Sequence, residues 1–137
     1  MSRREENLAL AHQGVEAFQR GDLEFILRVF HPDVEIFSPP ELPNPVDARG
    51  RDAYLRWVNS WLDAWEVYEI EAKAFDAIDD HHVVVQAHQR GVGKGSGIEV
   101  EMRVYYMLEI HEGLTTRFHF YADRERALAA AHGGRGA

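Results

Sequence analysis

The chain has 137 residues, of which 45% are hydrophobic, which is enough for one domain with a buried core. The formal net charge of −8 disfavours nucleic acid as a partner, because Lys and Arg supply most of the affinity for phosphates. The sequence contains no Cys, which excludes disulfides, thiolate metal sites and cysteine nucleophiles.

The first residues carry charge but no targeting signal. Residues 1–13 (MSRREENLALAHQ) have neither the apolar run nor the small-residue cleavage site of a secretory signal. No stretch approaches the run of about 18 apolar residues that a membrane span needs. We therefore expect no membrane association and a cytoplasmic location.

Two helices open the chain. The first is predicted over residues 4–19, with one apolar stripe at spacings of three and four: Leu8, Ala11, Val15 and Phe18. Ser2 and Glu5 resemble a capping box at its start. The pair Gly21-Asp22 ends this helix and caps a second one over residues 23–30.

A strand, a rigid loop and a third helix follow. Residues 34–37 are predicted to form a short strand, and residues 38–47 (SPPELPNPVD) hold four of the five prolines, so they cannot form a central strand. Gly50 and the next two residues begin a helix over residues 53–64. That helix presents a broad, largely aromatic stripe: Tyr54, Trp57, Val58, Trp61 and Leu62.

In the second half of the chain, apolar and polar residues alternate with a period of two. Strands are predicted over residues 67–78 and 83–91, and a long hairpin over residues 98–121 turns at Glu112-Gly113. Its first arm carries an apolar face from Val100 to Ile110. Short turns join these four strands, so we expect antiparallel neighbours. Asp123 caps a last helix over residues 124–131.

The order of elements predicts an α+β fold. A curved antiparallel sheet wraps around the three N-terminal helices, and a short helix ends the domain. We assign residues 1–131 to a single domain and predict that residues 132–137 (HGGRGA) form a disordered tail.

This order and four segments resemble the SnoaL-like branch of the nuclear-transport-factor-2-like superfamily, over about residues 7–131. The segments are GDLEFILRVFHPDVEIFSPP, GRDAYLRWV, RGVGKGSGIEVEMRV and EGLTTRFHFYADRERALAAA. The resemblance implies a cone-shaped α+β barrel, an apolar pocket at its open end and a homodimer. Relatives include ketosteroid isomerase, polyketide cyclases, limonene epoxide hydrolase, dehydratases and non-catalytic modules, so the fold alone does not select a function.

The catalytic residues of ketosteroid isomerase are missing at the matching positions. Its general base, an Asp, matches Ser38, and its oxyanion-hole Tyr matches Gly14. Its protonated Asp matches Tyr106, the one residue of the three that could still donate a hydrogen bond to an oxyanion. The Asp that cyclases and hydrolases carry on the last strand matches Phe120. These departures argue against transferring any one of those reactions.

A pocket for a flat, apolar ligand is the main candidate site. The residues expected to line it are Phe37, Tyr54, Trp57, Trp61, Met102, Tyr106, Phe118 and Phe120. The alternative is plain core packing. The candidates for catalysis are His88, Tyr106 and Ser38, with His88 as the general base if it faces inward. In the alternative arrangement, His88 and Arg90 face outward.

Three other polar groups are expected to have structural roles. Glu35, beside the proline-rich loop, is expected to face solvent, and it could be a base only if it points inward. Arg117, His119 and Tyr121 share a face that, with Tyr105 and Met107, suggests a dimer surface. Residues 79–82 (DDHH) look like metal ligands by composition. Adjacent histidines on a strand point to opposite faces, however, so we expect a solvated turn.

The sequence therefore predicts a SnoaL-like homodimer that binds a small apolar or aromatic molecule. If it is an enzyme, its chemistry would be acid–base, as in a lyase, isomerase or cyclase, without a metal or nucleotide cofactor. The alternative is a non-catalytic module for ligand binding or dimerisation.

Overall fold

The computed structural model describes residues 2–133, within which the chain forms four helices and six strands. The helices are α1 (Arg3–Gln19), α2 (Leu23–Val29), α3 (Arg51–Asp63) and α4 (Arg124–His132). The strands are β1 (Phe30–Ser38), β2 (Val46–Arg49), β3 (Trp65–Ala77), β4 (His82–Gly93), β5 (Glu99–His111) and β6 (Leu114–Tyr121).

The helix starts follow the predicted caps. Ser2 and Glu5 form a capping box on α1, with 3.1 Å between the Glu5 backbone nitrogen and Ser2 Oγ. Asp22 accepts a hydrogen bond from the Phe25 backbone N–H and caps α2. Asp123 does the same for the Arg126 N–H at the start of α4. These side chains satisfy N–H groups that have no partner within the helix.

The six strands form one curved sheet in the order β2-β1-β6-β5-β4-β3. Strands β3 to β6 are antiparallel neighbours, as predicted from their short turns. Strand β1 lies parallel to β6, so the sheet is mixed. The predicted α+β class, with a curved sheet around the N-terminal helices and a short C-terminal helix, is confirmed.

Several boundaries differ from the sequence prediction, including those of β1, β2 and α4. Strand β1 begins at Phe30, earlier than the strand predicted over residues 34–37, and reaches regular pairing through a register shift between Phe30 and Glu35. Strand β2 begins within the proline-rich segment and is confined to the edge of the sheet, where Pro is tolerated. His132 ends α4, and residues 134–137 of the predicted tail lie outside the described residues.

The two faces of the sheet pack against different helices. The inner face forms the main core with α1, α2 and α3, including Val85, Val104 and Tyr106. Helix α4 covers part of the outer face and buries Met107 and Tyr121. The dimer surface predicted around Met107, His119 and Tyr121 is therefore wrong, because α4 already covers these side chains.

No helix within residues 2–133 is both long enough and apolar enough to cross a membrane.

Candidate functional site

A cavity of about 110 Å³ lies between the inner face of the sheet and helices α1, α2 and α3. Its wall consists mainly of aliphatic and aromatic side chains. Among residues 2–133, the wall contains no Asp, Glu, Lys, Arg or His. Burying an unpaired charge is costly, so these walls suit a neutral, mostly apolar molecule.

Most of the predicted ligand-binding residues line this cavity: Tyr54, Trp57, Trp61, Met102, Tyr106, Phe118 and Phe120. Phe37 does not. The alternation of β1 points Ile36 and Ser38 inward and Phe37 outward, where its ring centroid lies 5.4 Å from that of His119. Phe37 therefore belongs to the layer beneath α4.

The aromatic wall is held together by edge and tilted contacts between rings. The ring centroids of Trp57 and Phe120 are 5.1 Å apart, and those of Tyr106 and Phe120 are 4.9 Å apart. Trp57 also donates a hydrogen bond from Nε1 to the carbonyl oxygen of Asn44, at 2.9 Å. This bond ties the proline-rich loop to α3 beside the cavity.

Three hydrogen-bonded side chains form a polar strip in the apolar wall. The hydroxyl of Tyr68 donates to Oε1 of Gln89 at 2.6 Å. Nε2 of Gln89 in turn donates to the hydroxyl oxygen of Tyr106 at 2.9 Å. All three residues line the cavity, and Gln89 is only 5% exposed. The strip therefore offers hydrogen-bonding groups to a ligand but no charged group.

The tyrosines of the cavity stay protonated at neutral pH. Burial raises the pKa of the Tyr68 hydroxyl to about 12, against a smaller opposing effect of a hydrogen bond from Trp61. Burial also raises the pKa of Tyr54 and of Tyr106 well above the ordinary value. These hydroxyls can donate hydrogen bonds, but they cannot act as bases near pH 7.

The candidates for catalysis do not meet in the cavity. Ser38 lines it and is 3% exposed, but no carboxylate or imidazole among residues 2–133 lines the cavity with it to activate its hydroxyl. His88 lies on the outer face of β4, with Nε2 3.9 Å from a carboxylate oxygen of Glu101. Arg90 shares that face and forms an ion pair with Glu99 at 2.7 Å. The outward arrangement of His88 and Arg90 is thus the one observed.

A buried acid–imidazole–hydroxyl chain lies on the opposite face of the sheet. Nε2 of His119 is 2.7 Å from Glu35 Oε2, and its Nδ1 is 3.0 Å from the Tyr121 hydroxyl. Glu35 is also paired with Arg49, at 3.2 Å. His119 is fully buried, and α4 packs over this part of the sheet. These groups therefore connect β1 and β6 and do not face the cavity.

The residues at the β3–β4 turn that resemble metal ligands, residues 79–82, make hydrogen bonds and ion pairs within the protein. His82 lies between Asp79, at 2.8 Å from Nδ1, and Glu109, at 3.1 Å from Nε2. Asp79 also accepts hydrogen bonds from the backbone N–H groups of His81 and His82. In the described part of the chain, no group of three or more His, Asp or Glu side chains is arranged to hold a metal ion.

Sequence reasoning missed Gln89 as a site residue. It lies on the face of β4 that also carries Val83, Val85 and Ala87. A polar residue that continues an apolar face by period-two spacing was the available signal. Its amide group must find hydrogen-bond partners once it is buried.

A sequence profile of the SnoaL-like domain matches residues 11–118. The chain belongs to the SnoaL-like family. The match covers most of the helices and strands that surround the cavity, and it confirms the resemblance found in the sequence. No curated protein matches the chain significantly by sequence.

Solved structures with the same fold are distant from this SnoaL-like domain in sequence. An NTF2-like protein of unknown function from Burkholderia pseudomallei is 17% identical, with a TM-score of 0.76 over 96% of this chain and 97% of that one. TerC, co-crystallised with polyporic acid, is 18% identical, with a TM-score of 0.75 over 96% and 99%. Bal32a, from a soil-derived mobile gene cassette, is 16% identical, with a TM-score of 0.80 over 88% and 91%. At these identities the likeness establishes the fold alone.

Proposed function

We propose that this SnoaL-like domain binds a small, neutral, apolar or aromatic molecule in its cavity. The observation that carries the proposal is an apolar cavity whose wall, within residues 2–133, has hydroxyl and amide groups but no charged side chain. The co-crystallisation of TerC with polyporic acid is consistent with the use of this fold to hold a small ligand.

The size of the cavity narrows the ligand class. An apolar cavity of about 150 Å³ accommodates benzene. The cavity here is smaller, at about 110 Å³, so a ligand wholly inside it can contain no more than one ring. A second depression adjoins the cavity, and Phe18, Tyr68 and Ile70 line both. A longer ligand would extend in that direction.

The cavity wall supports binding over acid–base catalysis. A lyase, isomerase or cyclase of the kind that the resemblance implies needs a group that accepts a proton near neutral pH. Among the described residues, no carboxylate or imidazole lines the cavity, and His88 lies on the outer face of β4. We therefore place ligand binding first and enzymatic activity second.

Gly14 offers a direct test of binding in this cavity. It lies in α1, lines the cavity, and a Cβ added to it would meet no atom within 4 Å. The Gly14→Leu variant should place a branched apolar side chain in this space. The Gly14→Ala variant provides the matched control, because it brings a similar gain in helix propensity of about 1 kcal/mol with far less filling.

The measurement is thermal unfolding and tryptophan fluorescence with toluene, acetophenone, indole and naphthalene as probes. Trp57 and Trp61 line the cavity, so a bound ring should change their emission. A probe at 100 times its dissociation constant adds about 2.7 kcal/mol to the free energy of unfolding. We expect this stabilisation in the wild type and in Gly14→Ala, and its loss in Gly14→Leu. Equal binding by Gly14→Leu, or no binding of any probe by the wild type, would contradict the proposal.

We also propose that the protein is a homodimer, as the family resemblance implies, and that it is located in the cytoplasm. With α4 covering part of the outer face, the surface left for a partner is the polar part of β3, β4 and β5. There Arg90 forms ion pairs with Glu69 and Glu99. Light scattering at two salt concentrations tests the dimer, and a monomer mass under both conditions would contradict it.

A further inference from the structure

The polar strip of the cavity has a direction. Tyr68, Gln89 and Tyr106 all line the cavity and form a chain of hydrogen bonds. The side-chain amide of Gln89 sets this direction, because its oxygen can only accept a hydrogen bond and its nitrogen can only donate one. The Tyr68 hydroxyl therefore donates its proton to Oε1 of Gln89, at 2.6 Å.

This direction fixes the role of Tyr106 at the end of the chain. With Oε1 of Gln89 accepting from Tyr68, the amide N–H of Gln89 donates to the Tyr106 oxygen at 2.9 Å. The Tyr106 hydroxyl proton is then left without an acceptor among residues 2–133. The hydrogen bonds in such a chain polarise one another, which makes the Tyr106 hydroxyl a stronger donor.

We propose that the cavity selects neutral ligands that carry a hydrogen-bond acceptor, such as the carbonyl oxygen of an aromatic ketone. Tyr106 donates to that oxygen, and Gln89 is the positioning residue that holds the Tyr106 hydroxyl in the donating orientation. This inference rests on the proposed function and adds the ligand class to it.

An acceptor oxygen fits this wall better than an anion or a plain hydrocarbon. A carboxylate would lose its hydration and find no cation in the described part of the wall. A hydrocarbon would leave the buried Tyr106 hydroxyl proton unpaired, which carries a penalty of its own. A ketone of the same shape removes that penalty and brings no charge.

Three probes of similar size separate these cases: acetophenone, α-methylstyrene and benzoate. The first has a neutral acceptor, the second has a methylene group in its place, and the third is an anion at pH 7. Each dissociation constant is compared between wild type and variant for the same probe, so differences in probe hydrophobicity cancel. Calorimetry or tryptophan fluorescence supplies the values.

In Tyr106→Phe we expect acetophenone to bind about tenfold more weakly, a change of about 1.4 kcal/mol, while α-methylstyrene binds at least as tightly as before. Gln89→Leu should weaken acetophenone in the same direction but by less, because the hydroxyl remains and only its orientation is lost. Tyr105→Phe, on the other face of β5, is the matched control and should change neither probe. Benzoate should bind neither wild type nor variants.

The outcomes separate this inference from the proposed function. If no probe binds the wild type, the binding function itself fails. If both neutral probes bind but Tyr106→Phe weakens them equally or leaves acetophenone unchanged, the acceptor selectivity is overturned. Unchanged acetophenone binding in Gln89→Leu would contradict the positioning role of Gln89. If only Tyr68→Phe lost the preference for acetophenone over α-methylstyrene, the chain of hydrogen bonds would run in the opposite direction and Tyr106 would not be the donor. Circular dichroism verifies that each variant is folded.

Discussion

At the scale of single residues, Glu109 shows how neighbours set the charge of a partly buried group. Arg117 Nε lies 2.8 Å from Oε1, His111 Nε2 lies 3.0 Å from Oε2, and His82 Nε2 lies 3.1 Å from Oε1. Burial alone would raise the pKa of this carboxyl, but the hydrogen bonds from Arg117 and His111 outweigh it and lower the pKa to about 2.

A lowered pKa predicts a specific loss of stability in acid. Because the folded state holds Glu109 ionised below the ordinary pKa of 4.5, its contribution is complete above pH 4.5 and is lost as the pH falls towards 2. The side chain is 22% exposed and shielded in part by water, so we expect Glu109→Gln to cost about 1 kcal/mol at pH 7. Urea unfolding from pH 7 to pH 2.5 measures the effect.

The variant should also lose less stability between pH 4.5 and pH 2.5 than the wild type. Glu101→Gln on the same strand is the control, because the Glu101 side chain is 58% exposed and one of its carboxylate oxygens lies 3.9 Å from His88 Nε2. Identical acid profiles for Glu109→Gln and the wild type would contradict the assigned role of Glu109.

At the scale of elements, the end of β4 is shaped by the ring of Trp65. A Cβ on Gly91 would come within 2.6 Å of Cε3 of this ring. Trp65 is itself packed against Trp61, with ring centroids 5.1 Å apart. The glycine therefore lets the aromatic layer lie directly on the backbone of β4, next to Gln89.

We predict that Gly91→Ala destabilises the fold by about 1–3 kcal/mol, because a packed indole ring must move. Gly93→Ala is a close control on the same strand and face. Its Cβ would meet Oγ of Ser96 at 2.7 Å, and a serine hydroxyl can rotate away. The free energy of unfolding in urea should separate the two variants, and equal values would show that Trp65 does not restrict β4.

Period-two patterns predicted the strands well, because alternation is a local property of the chain. The apolar face predicted for β5 does point inward, where Met102, Val104 and Tyr106 line the cavity. Alternation could not tell which face of β4 points inward, because both faces begin with valines. The inward face is set by pairing, which places Gln89 opposite Met102.

Residues far apart in sequence account for the other differences. The parallel pairing of β1 with β6 joins segments some 80 residues apart and leaves no local signature. The outward position of Phe37 and the inward position of Ser38 follow from the register of β1 on β6. The aromatic stripe of α3 needed only helical spacing, and so Tyr54, Trp57 and Trp61 were placed correctly on the cavity wall.

At the scale of the whole molecule, the sheet separates two apolar layers with different contents. The inner layer contains the cavity and its polar strip. The outer layer is closed by α4, in which Ala127 and Ala130 are fully buried against residues such as Met107. Small side chains on α4 allow the helix to lie close to the strands, where Arg117 donates a hydrogen bond to the Ala130 carbonyl oxygen.

This separation predicts that damage to the outer layer reduces stability without changing the cavity. Ala130→Asp buries an unpaired carboxylate under α4, which should lower the free energy of unfolding by more than about 3 kcal/mol. Ala129→Asp adds the same charge to the same turn of α4 at an exposed position and should cost about 0.5 kcal/mol. Both variants experience the same helix dipole, so the difference between their free energies of unfolding measures the cost of burying the carboxylate.

Probe binding then tests whether the layers are independent. At a temperature where Ala130→Asp is still folded, we expect its dissociation constant for acetophenone to match that of Ala129→Asp, because no residue of α4 lines the cavity. Weaker binding by Ala130→Asp alone would show that the outer layer shapes the cavity through the strands. In that case Tyr121 is the side chain to examine, because it lies under α4 one position after Phe120 of the cavity wall.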